Sequence, residues 1–184
     1  MKKEFKIRYP KLLLLLSTFI VAYLLFYERD YQPYHNFLVS LGYFGIFFVG
    51  IMYSYSFTAA PATAIFLILG SDYNIFLAAA IGGLGALIGD LFLFSFIRHS
   101  LHDEISNLLK NRVFSYFIKK TPGFFKKYLF GIIAALIIAS PLPDELGIIL
   151  FSLSKSVSFR TFSIISFLLN STGIFIILAI ARFF

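Results

Sequence analysis

Long apolar runs separated by short polar stretches set the pattern of this chain. The runs cover Leu12–Tyr27, Phe37–Gly70, Tyr73–Ile97, Tyr128–Ser154 and Val157–Ala181. A helix that crosses the hydrocarbon core of a bilayer, roughly 30 Å thick, needs about 20 apolar residues. We therefore predict transmembrane helices in the first, third and fifth runs, of which the first is the shortest.

The second and fourth runs are interrupted at their centres. Phe37–Gly70 carries no charge, and as one helix it would be about 51 Å long, too long for one span and too short for two. Its middle, Ser54–Pro61, holds hydroxyl groups and a proline, and Ser140–Asp144 holds two prolines. Proline breaks a helix. We therefore predict re-entrant helical hairpins over 37–70 and 128–154, with two kinked spanning helices as the alternative.

The two halves of the chain resemble each other. Phe44-Gly45-Ile46 recurs 86 residues later, Pro61 recurs 82 residues later and Arg98 recurs 84 residues later. Inverted repeats with discontinuous helices are typical of transporters. We predict an all-α integral membrane protein. We expect it to be built as an inverted repeat of re-entrant helical hairpin plus transmembrane helix, with an N-terminal transmembrane helix and a central amphipathic helix.

Composition and charge support this prediction and orient the chain. Of the 184 residues, 59% are hydrophobic and only 14% are charged, whereas a soluble domain is about a quarter charged. Twelve of the 16 basic residues lie before residue 12 or within 98–127, and Lys155 and Arg160 fall on the same predicted side. Basic residues favour the cytoplasmic side. We predict one membrane domain over 1–184, with an uncleaved, cytoplasmic N-terminus.

The net charge of +7 therefore reflects topology, and we predict no nucleic-acid partner. Segment 98–127 has apolar residues at helical spacing among lysines and arginines, which predicts an amphipathic helix on the cytoplasmic membrane surface. Anchoring is the simpler role of this helix, and head-group recognition is the alternative. There is no cysteine, and we expect neither a cofactor nor a metal, since His99, His102 and Asp103 fit a solvated interface.

Acidic residues within the apolar runs are the main candidates for function. Asp90 follows a stripe of small residues that lets another helix approach closely. A carboxylate within a span should face the protein interior, as a proton or cation relay, a head-group contact or a structural pair. Asp144 and Glu145 lie at the predicted tip of the second hairpin, either in an aqueous pocket that suits proton coupling or simply solvated at the interface. Asn170 and Ser171 are predicted to hydrogen-bond between helices.

The same segments resemble a known family. Gly85-Ala86-Leu87-Ile88-Gly89-Asp90, followed by Arg98, resembles a segment of DedA proteins, which belong to the VTT-domain (SNARE-associated Golgi protein) superfamily. Ser158–Phe162, which contains Arg160, resembles the start of that family's last helix. The resemblance extends over roughly residues 40–182. It implies a transporter of lipid-linked or ionic cargo in a prokaryotic plasma membrane, with membrane lipids and protons or cations as partners.

The chain also departs from the family pattern. The residues around Pro61 carry no acidic side chain, and the second hairpin has an acidic tip where family members often have arginines. Either the cargo differs, or Arg98, Arg160 and the interfacial segment supply the positive charge. The candidate transport-site residues are Asp90, Asp144, Glu145, Arg98, Arg160, Pro61, Pro141, Pro143 and Gly89.

Three functions fit these residues. The first is translocation or scrambling of lipid or lipid-linked phosphate head groups. The second is proton- or cation-coupled transport of a small solute through Asp90, Asp144 and Glu145. The third is a membrane scaffold without transport, and a homo-oligomer is compatible with each of them. We do not expect an enzyme, because no catalytic constellation occurs at convincing spacing.

Overall fold

The computed structural model describes residues 10–101, 144–153 and 157–183, and this part of the chain contains helices and no strand. A 3-10 turn, Glu28–Asp30, and a π turn, Ile97–Leu101, adjoin longer helices. The helices are α1 (Pro10–Tyr27), α2 (Gln32–Ser40), α3 (Gly42–Tyr53), α4 (Ser56–Leu69), α5 (Ile75–Phe96), α6 (Asp144–Leu153) and α7 (Phe159–Ala181). The predicted all-α class is confirmed. Residues 102–143, with Pro141, Pro143 and most of the predicted amphipathic segment, lie outside the described residues.

Two described helices are long and apolar enough to cross a membrane. They extend over Ile75–His99, with 25 residues, and Phe159–Ala181, with 23 residues. Both were predicted as spans. The length and composition of these two helices indicate a membrane protein. The predicted first span coincides with helix α1, which has 18 residues, and its crossing of the membrane stays a prediction.

The two long helices, α5 and α7, pack against each other in antiparallel directions. Phe76 near the start of α5 contacts Phe175 near the end of α7, with ring centroids 5.2 Å apart. At the other end, Phe94 stacks on Phe162 at 4.3 Å. Close approach depends on Gly83, where an added Cβ would collide with the Ser171 hydroxyl. The small-residue stripe of α5 thus brings helices together, as predicted.

Helices α3 and α4 form a hairpin beside this pair. Tyr43 near the start of α3 contacts Tyr73, with ring centroids 5.1 Å apart, and Gly50 lies against Gly82. Helix α3 therefore runs parallel to α5. Helix α4 returns, and Gly70 at its end lies against Ala181 at the end of α7. Both outer ends of this hairpin consequently lie at the same end of the bundle.

The hairpin turns at Ser54 and Tyr55, within the stretch predicted to be broken, but the expectation that Pro61 makes the break is wrong. Pro61 is buried inside α4. Pro61 has no N–H for the carbonyl of Phe57 in the first turn of the helix, and its ring crowds that carbonyl. Two residues beyond Pro61, the Thr63 hydroxyl donates to the carbonyl of Ala59 at 2.8 Å.

A second bend precedes the hairpin. Helices α2 and α3 together are long and apolar enough to cross a membrane but are bent by 94°. The bend lies at Gly42, whose φ of 59° is in the left-handed region that glycine adopts at little cost. Chain direction therefore changes sharply just before α3 enters the bundle.

Helix α6 runs from the turn of the hairpin to the opposite end of the bundle. Its second residue, Glu145, contacts Ser56 at the start of α4. Its later residues, Ile148 and Phe151, pack with Phe94 and Phe162 in a separate apolar cluster. Helices α4 and α6 thus begin at the same place and run to opposite ends. The sequence repeat behind this arrangement stays a prediction.

Candidate functional site

Asp90 lies at the centre of the described bundle and is only 2% exposed. Its Oδ2 accepts a hydrogen bond from the Ser166 hydroxyl at 2.7 Å and from the Asn170 side-chain amide at 2.8 Å. Ser166 and Asn170 are four residues apart on α7, so they lie on one face of that helix. The prediction that Asp90 faces the protein interior is confirmed, and its role in function stays a prediction.

The other oxygen of this carboxylate, Oδ1, is buried and has no hydrogen-bond partner among the described residues. A buried polar atom without a partner is rare and costs free energy. Asp90 therefore has an unused acceptor that faces the interior. A proton, a cation or a passing polar group would satisfy it.

Glu145 joins the starts of α4 and α6. It is the second residue of α6, and its Oε1 accepts from the backbone N–H of Ser56 at 2.8 Å. Its Oε2 accepts a short hydrogen bond from the Ser56 hydroxyl. The residue before α4, Tyr55, provides no side-chain cap. Glu145 therefore caps a helix that is 89 positions away in sequence, where free N–H groups favour a carboxylate.

These contacts place residues from five elements side by side. The Tyr55 hydroxyl donates to the carbonyl of Gly89 at 3.5 Å. An added Cβ at Gly89 would collide with the Ser54 hydroxyl, so this close approach requires glycine. We call this cluster the junction. It consists of Ser54, Tyr55, Ser56, Gly89, Asp90, Glu145, Ser166 and Asn170.

Two carboxylates belong to the junction, Asp90 on α5 and Glu145 on α6. Hydroxyl and amide donors surround both groups, but no lysine or arginine is bonded to either carboxylate among the described residues. The junction can therefore bind or exchange a proton or a cation. Its described part has no lysine or arginine that could balance the charge of an anion.

The arginine candidates lie elsewhere. Arg98 donates from Nη1 to the carbonyl of Val157 at 3.1 Å, and its guanidinium lies 5.4 Å from the ring of Phe94. Arg160 is exposed. Arg98 is eight residues beyond Asp90, about 12 Å along the helix axis, and Arg160 is six residues before Ser166, about 9 Å. Both therefore fix or flank the end of the bundle opposite the open ends of the α3–α4 hairpin.

Of the candidates, the structure brings Gly89, Asp90 and Glu145 together and leaves Arg98 and Arg160 outside the junction. Pro61 is buried in α4, five residues beyond Ser56. The side chain of Asp144 and both Pro141 and Pro143 lie outside the described residues. That these three residues belong to the site stays a prediction.

Sequence reasoning missed the roles of Ser166 and Ser56. Ser166 stands four residues before Asn170 in an apolar helix, and this spacing was a signal that both share one face. Asn170 was expected to bond between helices, which is confirmed. Ser171, by contrast, has a buried hydroxyl with no partner among the described residues. No local signal marked Ser56 as the partner of Glu145.

Comparison with known proteins adds no relative. No protein-family model, curated protein or solved structure matches the chain. The resemblance to DedA proteins therefore stays a prediction based on short motifs. Any functional conclusion depends on the geometry of the junction.

Proposed function

We propose that this chain is a DedA-type membrane transporter that moves lipid or lipid-linked phosphate head groups across the bilayer through the junction. The observation that carries this proposal is the pair of hydrogen bonds from Ser56 to Glu145, which joins the starts of two short helices beside a buried carboxylate. Discontinuous helices whose N-termini meet near the midplane are typical of transporters. Helix α4 has 14 residues and helix α6 has 10, so each is shorter than a helix that crosses the membrane alone.

In the proposed topology, α5 and α7 span the bilayer and the α3–α4 hairpin is re-entrant. The hairpin enters and leaves at the end where α5 begins, which supports this assignment. Its turn at Ser54 and Tyr55 is enclosed by α5 and α6, and irregular backbone at membrane depth is tolerated only where protein or water surrounds it. Helix α6 is then the second arm of the opposing hairpin, and the N-terminus is cytoplasmic.

The junction would act as the closed point of the path. While Glu145 caps α4, the two short helices are held together and a head group cannot pass between them. Release of this bond would separate their ends and expose Asp90, Ser166 and Asn170 to the path. These groups can hydrogen-bond a polar head group while its acyl chains remain in the surrounding lipid.

A disulfide between the two short helices tests this mechanism. The chain has no cysteine, so the double variant Ser56→Cys/Glu145→Cys introduces the only pair. We expect oxidation to stop the movement of fluorescent phospholipid in vesicles that contain the purified variant, and reduction to restore it. The two single variants, treated with the same oxidant, are the controls. Unchanged lipid movement in protein that is shown to be cross-linked would contradict the proposal.

A proton- or cation-coupled small-solute transporter is the second candidate. It is favoured by the two carboxylates of the junction and by the distance of Arg98 and Arg160, since a phosphate has no arginine partner among the described residues of the junction. This candidate predicts a pH-dependent ion flux that is abolished by Asp90→Asn or Glu145→Gln. It also predicts that no lipid moves in any of the vesicles. Parallel readouts of lipid movement and ion flux in one preparation separate the two candidates.

A further inference from the structure

A cleft of about 210 Å³ opens at the end of the bundle where α1, α4 and α7 finish. Its floor is apolar and includes Phe26, Leu67, Ile68 and Ala181. Its rim is polar and consists of Arg29, Asp30, His35, Ser71 and Asp72. The junction uses none of these residues.

Tyrosines mark this end as the membrane boundary. Of the eight tyrosines in the described part of the chain, six lie here, and the chain has no tryptophan. Tyrosine is enriched where a membrane meets water, because its ring prefers the apolar layer and its hydroxyl prefers the polar one. The six are Tyr23, Tyr27, Tyr31, Tyr34, Tyr43 and Tyr73. This arrangement supports a position of the cleft at the depth of the phospholipid head groups.

The charges of the rim are mixed, and one of the two pairs they form is loose. Asp72 accepts from His35 at 3.1 Å, and both side chains are about a quarter exposed. Arg29 lies over the ring of Phe26 at 4.5 Å, and its Nε is 3.9 Å from the carboxylate of Asp30, at the long limit for an ion pair. The Asp30 side chain is 93% exposed. Arg29 and Asp30 thus retain free hydrogen-bonding capacity next to each other.

The charges of Arg29 and Asp30 indicate the class of ligand. They place one positive and one negative group side by side in the lining of the cleft. A lone phosphate would meet the carboxylate of Asp30 as well as Arg29, whereas a head group with both a phosphate and an ammonium matches the pair. Arg29 would donate to the phosphate and Asp30 would accept from the ammonium, and charge-assisted hydrogen bonds are the stronger ones.

We propose that this cleft binds the head group of a zwitterionic phospholipid that carries a primary ammonium. The proposal requires only that the chain is embedded in a bilayer, and it does not depend on transport. Its failure would leave the junction unaffected, and failure of transport would leave the cleft as a lipid site.

A single introduced tryptophan measures this binding directly. Because the chain has no tryptophan, Phe26→Trp reports from the cleft floor and keeps an aromatic ring beneath Arg29. Short-chain phosphatidylethanolamine, added to the purified variant in detergent micelles, should change the emission of the introduced indole in a saturable way. Phosphatidylglycerol, which has the phosphate but no ammonium, should bind at least about tenfold more weakly, as expected for loss of one charge-assisted hydrogen bond.

Substitutions on the rim give the matched comparison. In the Phe26→Trp background, Asp30→Asn and Arg29→Gln should each weaken phosphatidylethanolamine binding about tenfold. Glu28→Gln removes a neighbouring exposed acid outside the cleft and should leave binding unchanged. Equal affinity for the two lipids, or an unchanged affinity in Asp30→Asn, overturns the proposal. If Phe26→Trp does not fold, Leu67→Trp reports from the same floor, and the absence of a saturable signal from a folded probe overturns it as well.

Discussion

The junction and the cleft both contain aspartates, but they expose them very differently. Asp90 in the junction is 2% exposed and bonded to two donors on α7, whereas the Asp30 side chain in the cleft is 93% exposed and loosely paired. Water can replace a lost partner at Asp30 and cannot do so at Asp90. These acidic side chains therefore fall into two classes, one built into the fold and one available to a ligand.

The largest effect is expected at the donors of Asp90. Asn170→Leu should lower the free energy of unfolding by about 3 kcal/mol, because it leaves a buried carboxylate short of a donor. Reversible unfolding of the purified protein in micelles measures this loss. The double variant Asp90→Leu/Asn170→Leu should recover part of it, since the carboxylate is removed together with Asn170 and only the Ser166 hydroxyl loses its acceptor. A double variant as unstable as the single one would show that Asp90 stabilises the bundle in another way.

A smaller effect is expected where Glu145 caps α4. Glu145→Gln keeps the size of the side chain but removes the charge, which should cost about 1 kcal/mol as for other helix caps. The bond would open more often, so a cysteine introduced at Tyr55 should react with a thiol reagent about five times faster. Ser56→Ala should raise the same rate, because it removes one of the two donors to Glu145. Equal rates in parent and variants would mean that this bond does not hold the hairpins together.

The smallest effect is expected in the cleft. Asp30→Asn should leave the unfolding midpoint unchanged, since exposed ion pairs contribute little to stability. It should alter only lipid binding in the titration of the Phe26→Trp variant. A clear loss of stability on Asp30→Asn would remove the distinction between the two classes of aspartate.

Several features followed from the sequence because they depend on local pattern or composition. The apolar runs predicted the two long helices, and the length of Phe37–Gly70 predicted an interrupted segment. The rule that a charge within a span faces the interior placed Asp90 correctly. The small-residue stripe before Asp90 predicted close helix packing, which α3 and α7 provide.

Other features depend on contacts that no local pattern contains. The turn at Ser54 and Tyr55, rather than at Pro61, is stabilised by Gly89 on another helix and by Glu145, which lies 89 positions from Ser56. Pro61 lies inside α4 as its sixth residue, where a proline removes one helical hydrogen bond and its ring crowds the preceding turn, and packing of the buried ring in the bundle offsets that cost. The bonds from Ser166 and Asn170 to Asp90 likewise required the antiparallel register of α5 and α7.

Labelling of single cysteines from each side of sealed membranes tests the central claim, that α3 and α4 enter the bilayer and return to the same side. Ser40→Cys and Ser71→Cys flank the hairpin and are exposed, and His99→Cys lies at the far end of α5. We predict that an impermeant thiol reagent added outside labels the first two positions and not the third, which reacts only from inside. Labelling of Ser40→Cys and Ser71→Cys from opposite sides would contradict the hairpin and the transport path built on it.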